Sequence, residues 1–182
     1  MTLNVYSIAN KLQAVGYFLK TRRVHTAVIT DTHVQKGDPI DMQIKDYTLV
    51  STCKRKQGAP KGGTAIYVHT SLPYLNGEER TAQEQREIVY CSAAALPNHN
   101  ETDKLAIVGA YSPPEKEHPE YVPMLNQMLR NNKEQGRTTV LMGDFNMNLW
   151  GKLEKEYYQE WIESENLREL SNPRFQHSEQ GQ

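Results

Sequence analysis

The stretch Thr138-Thr139-Val140-Leu141-Met142-Gly143-Asp144-Phe145-Asn146-Met147 decides how this chain is read. Thr138 to Met142 is a short apolar run rich in β-branched residues, as a buried strand requires. An acid and an amide follow, two residues apart. On an extended backbone side chains alternate, so Asp144 and Asn146 are expected on one side. Gly143 lets the chain bend without a Cβ penalty, and Phe145 can anchor the turn in the core. An acid and an amide at a strand end suit work on a phosphate and its metal. An Asx-rich turn that merely closes the strand is the competing reading.

Upstream of this stretch the pattern is strand-rich. Leu3 to Ile8 reads as a strand, and Asn10 as the cap of a helix with Leu12, Val15 and Leu19 on its apolar face. Thr26-Ala27-Val28-Ile29-Thr30 reads as a buried strand ending at Asp31. Tyr47–Cys53, Gly63–Val68, Ile88–Ala95 and Leu105–Tyr111 are further strands. Pro119 opens a helix carrying Tyr121, Met124, Leu125, Met128 and Leu129 on one stripe, with Gly136 past its end. A last helix is expected over Glu154–Asn166. Six or seven strands among three helices predict an α/β sandwich with mixed sheets, since the middle of the chain has no alternating βαβ series.

The chain has 182 residues and a formal net charge of −1, which allows one domain and gives no global basic field for nucleic acid. Any contact with a polyanion has to be local, and Lys54, Arg55, Lys56 and Lys61 before the Gly62-Gly63 pair are the candidates. A solvated hairpin loop is the other reading of those four. Hydrophobic residues make up 37% and mean hydropathy is −0.73, so the surface is very polar. Cys53 and Cys91 lie far apart with no C-x-x-C spacing, as free thiols in a reducing compartment would. No stretch reads as a membrane span, no histidine spacing points to zinc, and an intracellular monomer is expected.

Asn4, Asp31, Tyr111 and the Asp144/Asn146 pair all fall at or near strand ends, where polar groups from packed sheets gather into sites. In order, Leu3-Asn4-Val5, Asp31-Thr32-His33, Gly62-Gly63-Thr64-Ala65-Ile66-Tyr67-Val68, Ala110-Tyr111-Ser112-Pro113 and Met142-Gly143-Asp144-Phe145-Asn146 resemble the motif series of the endonuclease/exonuclease/phosphatase superfamily. Within it, the series is most similar to the apurinic-type endonuclease domains of LINE-type (non-LTR) retrotransposons. The resemblance runs over nearly the whole chain.

That resemblance implies a four-layer α/β sandwich of two mixed sheets flanked by helices, and hydrolysis of DNA phosphodiesters with Mg²⁺ or Mn²⁺, in the nucleus. Asp31 stands where the family has its metal-binding glutamate, and Asn4 where it has the asparagine beside that metal. Tyr111 matches the tyrosine contacting the scissile phosphate; Asp144 and Asn146 match the pair orienting water and phosphate. His33 is given a structural role. Aspartate is one methylene shorter than glutamate, so the carboxylate is set back by roughly 1–1.5 Å. The family's later Ser/Thr-x-Ile-Asp segment and closing Ser-Asp-His have no counterpart before Gln182. The expectation is therefore a domain lacking its last strands and its general base, with weak or no turnover. The alternative is a non-catalytic relic, or a module that binds nucleic acid weakly through Lys54–Lys61.

Overall fold

Residues Thr26–Thr30, strand β2, are buried on both faces because a sheet and a helix-covered layer lie on either side. Alternation along the strand divides its side chains: Ala27 and Ile29 enter one apolar cluster, and Val28 enters another. Strand β4 (Thr64–His69) divides in the same way, with Ala65 and Tyr67 in the first cluster and Ile66 in the second. This double-sided apolar pattern is what a central strand needs.

The structure, a computed structural model, describes residues 1–35, 37–54, 62–72, 89–92, 96–97, 104–112, 122–147 and 152–170. They belong to two units, Met1–Asn146 and Met147–Gln182. In the first, one sheet has the order β1-β2-β4-β3, with β1 (Thr2–Asn4) parallel to β2 and β3 (Tyr47–Cys53) at the far edge. The second sheet is built on β7 (Lys104–Tyr111). It pairs antiparallel with β5 (Val89–Ser92) and β6 (Leu96–Pro97), and parallel with β8 (Arg137–Asp144).

The sheets face each other, β1 and β2 against β8 and β7. Val28, Ile66 and Ile107 form the middle of that interface, with Val140 and Met142 packed on it. A Cβ at Gly109 of β7 would lie 2.9 Å from Val28 Cγ1, so the sheets meet here because β7 carries no side chain. Helix α1 (Leu12–Thr21) covers the outer face of the first sheet through Val15 and Leu19. Helix α2 (Val122–Glu134) lies along β8. Helix, sheet, sheet, helix gives four layers, and both sheets are mixed. Among the described residues β1 pairs only with β2, and β8 only with β7, so one flank of the sandwich carries two unpaired edges.

Several boundaries differ from those read in the sequence. The first strand stops at Asn4 rather than continuing to Ile8. Tyr6 (φ 43°) and Ser7 (φ 78°) turn into the left-handed region, while Ser7 and Ile8 still donate their N–H groups to Asp31 O and Thr32 O. Asn10 does not cap α1; Lys11 occupies the N-cap without a side-chain cap bond. Its Nζ is bonded instead to the Val5 and Tyr6 carbonyls. Gly136 (φ 66°) ends α2 as expected, whereas Pro119 and Tyr121 lie outside the described residues.

In the second unit, helix α3 runs Lys152–Ser164. Asn166 (φ 50°) follows it, and Leu167 N donates to Ile162 O at 2.8 Å, a left-handed C-terminal cap. The helix thus stops short of Asn166 because that residue is its terminator. Trp161 is buried, with the Tyr158 ring edge-on at 6.3 Å.

Candidate active site

Parallel pairing brings four strand ends to one edge. Asn4 is in register with Thr30, one residue before Asp31, and Tyr111 is in register with Asp144. The register of β4 puts Thr64 opposite Thr30, so Gly62 and Gly63 enter the same edge from the opposite direction. Strand pairing gathers Asn4, Asp31 and Gly62 at the end of one sheet and Tyr111 and Asp144 at the end of the other, and packing of the two sheets joins residues more than a hundred positions apart.

At this edge Asn4 Nδ2 donates to Asp144 Oδ2 at 2.6 Å, joining the two sheets. Asn4 Oδ1 accepts the Tyr6 N–H at 3.2 Å. The two bonds use different ends of the amide, so its orientation is specified. Asp144 Oδ1 accepts the Asn146 N–H at 3.1 Å, and Asn146 Nδ2 donates to Ser112 O at 2.6 Å. Asn146 has φ 48°, a conformation asparagine tolerates better than most residues. The strand has already ended at Asp144, and an Asx turn closes it, as the competing reading of the segment expects. The pairing of Asp144 with Asn146 comes from this turn, not from alternation on an extended strand.

Gly143 has a different purpose from the one its sequence suggests. It lies inside β8 with no left-handed φ, and a Cβ there would stand 1.9 Å from Ala110 O. Close approach of the β7 backbone, not a bend, excludes any side chain.

Asp31 is drawn into a second cluster. Its Oδ1 receives the Gly62 N–H at 2.8 Å and His33 Nε2 at 2.9 Å. A carboxylate only accepts, so Nε2 carries the proton of that contact. Asp31 is 3% exposed. Asp31 and His33 both have φ 58°, and the Tyr6 ring meets the His33 ring edge-on at 5.0 Å. Tyr111 is buried at 2% exposure, with the neighbouring Ser112 N donating to Asp144 O. Thr32 Oγ1 and Ser112 Oγ are buried without partners among the described residues, an unusual state that fits donors kept for a ligand.

Of the residues proposed from sequence, Asn4, Asp144 and Asn146 are brought into direct hydrogen-bonded contact. Tyr111 stands beside Asp144 in register, and Asp31 bonds elsewhere on the same edge. Lys54 is exposed at the end of β3, and Arg55, Lys56 and Lys61 lie outside the described residues. Sequence reading gave no role to Tyr6, or to Ser112 and Gly62 within their motifs. Their part is played by backbone groups, which leave no residue-type signal, or by position next to a motif residue.

Among the described residues, no three His, Cys, Asp or Glu side chains stand together as a metal site. Mg²⁺ usually needs only one or two carboxylates, with water and substrate oxygens completing its shell. The Asp144 carboxylate and the Asn4 amide oxygen are hard donors that suit it. Asp31 fits it less well, because Asp31 is 3% exposed whereas Asp144 is half-buried.

No protein-family model and no curated protein matches the chain. Solved structures do. The AP endonuclease LMAP from Leishmania major superposes with a TM-score of 0.66 at 12% identity, covering 91% of this chain and 66% of that one. This chain has the endonuclease/exonuclease/phosphatase fold. The same fold is seen in the endonuclease domain of TRAS1, a telomere-specific non-LTR retrotransposon (TM-score 0.62, 18% identity, 94% of this chain and 73% of that chain). It recurs in the 3′ phosphatase NExo from Neisseria bound to a product DNA hairpin (0.58, 15%, 89% and 69%). The chain thus spans about two thirds of the length of the Leishmania protein. Among the described residues no helix is long and apolar enough to cross a membrane.

Proposed function

We propose that this chain is a divalent-metal-dependent phosphodiester hydrolase domain that nicks DNA, of retroelement type, acting in the nucleus. The Asn4–Asp144–Asn146–Ser112 chain of hydrogen bonds at the shared strand edge carries this reading. An enzyme gains most from polar groups already fixed where charge develops, and the Asn4 and Asp144 side chains are each held by two partners.

In the proposed mechanism Asp144 orients the attacking water through the carboxylate that Asn4 holds in place. Asn146 spends one amide hydrogen on Ser112 O and keeps the other for a phosphate oxygen. Tyr111, in register with Asp144, has the phosphate contact by the family resemblance alone, since it is 2% exposed. Attack of water forms one P–O bond, breaks another, and leaves negative charge on the non-bridging and leaving oxygens. Charge neutralisation at those oxygens is what a Mg²⁺ or Mn²⁺ held by Asp144 and Asn4 would supply. The described histidines make no hydrogen bond to Asp144 or Asn146, and a positioned base is typically worth about 10²–10⁴-fold. Turnover is therefore expected to be slow.

The test measures plasmid nicking in Mg²⁺ and Mn²⁺ beside binding of a fluorescent duplex at several salt concentrations. Slow nicking that disappears in Asp144→Ala, with binding that weakens as salt rises, is the expected result. Nicking equal in wild type and Asp144→Ala would overturn the roles assigned. The competing reading, a non-catalytic module that binds nucleic acid as a monomer through Lys54–Lys61, is favoured by the engagement of Asp31 with Gly62 and His33. It requires binding without any Asp144-dependent cleavage, and loss of that binding when Lys54, Arg55, Lys56 and Lys61 are neutralised.

A further inference from the structure

We infer that Asp31 acts as a positioning residue that holds the Gly62–Gly63 turn and, through His33 and Tyr6, the amide of Asn4, and that it does not ligate a metal. The inference rests on reading Asn4 and Asp144 as the site. Three features of Asp31 support it.

The first is the load on its carboxylate. Oδ1 already accepts from Gly62 N and His33 Nε2, and the side chain is 4% exposed. Mg²⁺ gives up its water reluctantly and keeps several molecules of it. A carboxylate buried to this degree offers no space for that hydrated shell.

The second is the backbone. Asp31 has φ 58°, a region that aspartate and asparagine enter more readily than other side chains because they bond locally. Opposite it, Gly62 (φ 116°) and Gly63 (φ 96°) need glycine, and Thr32 Oγ1 occupies a point 2.3 Å from where a Gly63 Cβ would be. Thr32 N and His33 N donate to Gly63 O and Gly62 O. The carboxylate completes a clamp whose backbone is already committed to it, and aspartate is the acid of the right length.

The third is continuity. From Asp31 the contacts run through the His33 ring to the Tyr6 ring, then from Tyr6 N to Asn4 Oδ1 and from Asn4 Nδ2 to Asp144 Oδ2. Tyr6 is 63% exposed, and its backbone is held by the Lys11 Nζ bond to its carbonyl and by the adjoining Ser7 N–H, which donates to Asp31 O. Loosening Asp31 therefore loosens the residue that orients Asp144.

The experiment compares wild type, Asp31→Asn, Asp31→Glu and Asp31→Ala of the 182-residue chain by ¹⁵N NMR and Mn²⁺ titration. A positioning role predicts a downfield Gly62 amide and an Nε2-protonated His33 in wild type. Both are kept in Asp31→Asn, which preserves the acceptor, and lost in Asp31→Ala. Mn²⁺ affinity should stay within about twofold in Asp31→Asn, while Asp31→Glu gains none and melts earlier. A tenfold loss of Mn²⁺ affinity in Asp31→Asn, or a tenfold gain in Asp31→Glu, would overturn the inference. So would a Gly62 amide and a His33 tautomer unchanged in Asp31→Ala. If wild type binds no Mn²⁺, the metal part of the proposed function fails, and the two NMR signatures still decide the clamp. Should Asp31→Ala not fold, Asp31→Asn against Asp31→Glu supplies the same contrast.

Discussion

Asn4 Nδ2 donates to Asp144 Oδ2 at 2.6 Å, joining two residues 140 positions apart and two sheets that, among the described residues, share no backbone hydrogen bond. Replacing the amide by an acid, Asn4→Asp, puts two carboxylates into that contact. Like charges this close force one group to stay protonated, so the folded-state pKa of the pair rises above the unfolded value. Stability is then present at low pH and lost as pH rises. Asn4 is exposed, so solvent screens the pair, and we expect Asn4→Asp to be destabilised by about 0.5–1.5 kcal/mol at pH 7, the ordinary net worth of a hydrogen bond, and to recover towards pH 4.5. Urea titrations at both values check this, and a pH response equal to that of wild type would sink it.

Asn146 combines a left-handed backbone with a side-chain bond to Ser112 O. Asn146→Gly keeps the first and loses the second, whereas Asn146→Ala loses both. The alanine variant should cost about 1–2 kcal/mol and the glycine variant less, since glycine enters this region freely. Both should lose Asp144-dependent nicking. Equal stability of the two variants would show that the backbone conformation is not what selects asparagine here.

Gly143→Ala is expected to be among the most damaging single changes in the chain, because its Cβ would fall 1.9 Å from Ala110 O, a backbone atom. Backbone cannot yield as a flexible side chain does, so the cost should reach or exceed the roughly 1–3 kcal/mol of ordinary overpacking. Gly16→Ala, in α1, meets only the Ile44 Cγ2 methyl at 3.0 Å. A helix interior gains up to about 1 kcal/mol from this exchange, so the net effect should be close to zero. Thermal melting of the pair separates the two cases.

Tyr67 is fully buried, and its hydroxyl donates to Met42 O at 2.7 Å. Burial, with a smaller contribution from Asp41, raises its pKa well above the ordinary 10.0. The folded value lies above the unfolded one, so this contribution is complete below pH 10 and declines as pH rises beyond it. Wild type should therefore lose stability above about pH 10, and Tyr67→Phe should flatten that decline. The variant should cost about 1–3 kcal/mol at pH 7 through the orphaned Met42 carbonyl. An unchanged alkaline slope in Tyr67→Phe would contradict this.

Much of the fold was legible in the sequence. Val28 with Ile29, and Ile66 with Tyr67, announce strands buried on both faces, and Gly136 marks the end of α2. These are local signals, in which periodicity and turn chemistry act over a few residues. Asp31, Tyr111 and the Asp144/Asn146 pair could be picked out because each stands where an apolar run gives way to polar residues, and Asn4, inside Leu3-Asn4-Val5, through the order of the motif series. The limits of the first strand were not legible, because Tyr6 and Ser7 turn left-handed, with Ser7 N donating to Asp31 O of a neighbouring strand end and Lys11 Nζ donating to Tyr6 O.

The sequence by itself determined most of the strands, their order, and Asp31, Tyr111 and Asp144 as the polar residues at three of their ends, since these follow from side-chain type and spacing. Only the tertiary structure decided what those residues do to one another. Asp31 and Asp144 are both acids at strand ends. Register and backbone torsion give Asp144 to Asn4 and Asn146, and give Asp31 to Gly62 and His33. The same holds for Gly143, where the sequence marks a missing side chain and only the distance to Ala110 gives the cause. Hydrogen-bond partners depend on distances of a few tenths of an ångström between segments far apart in the chain, and no local pattern encodes such distances.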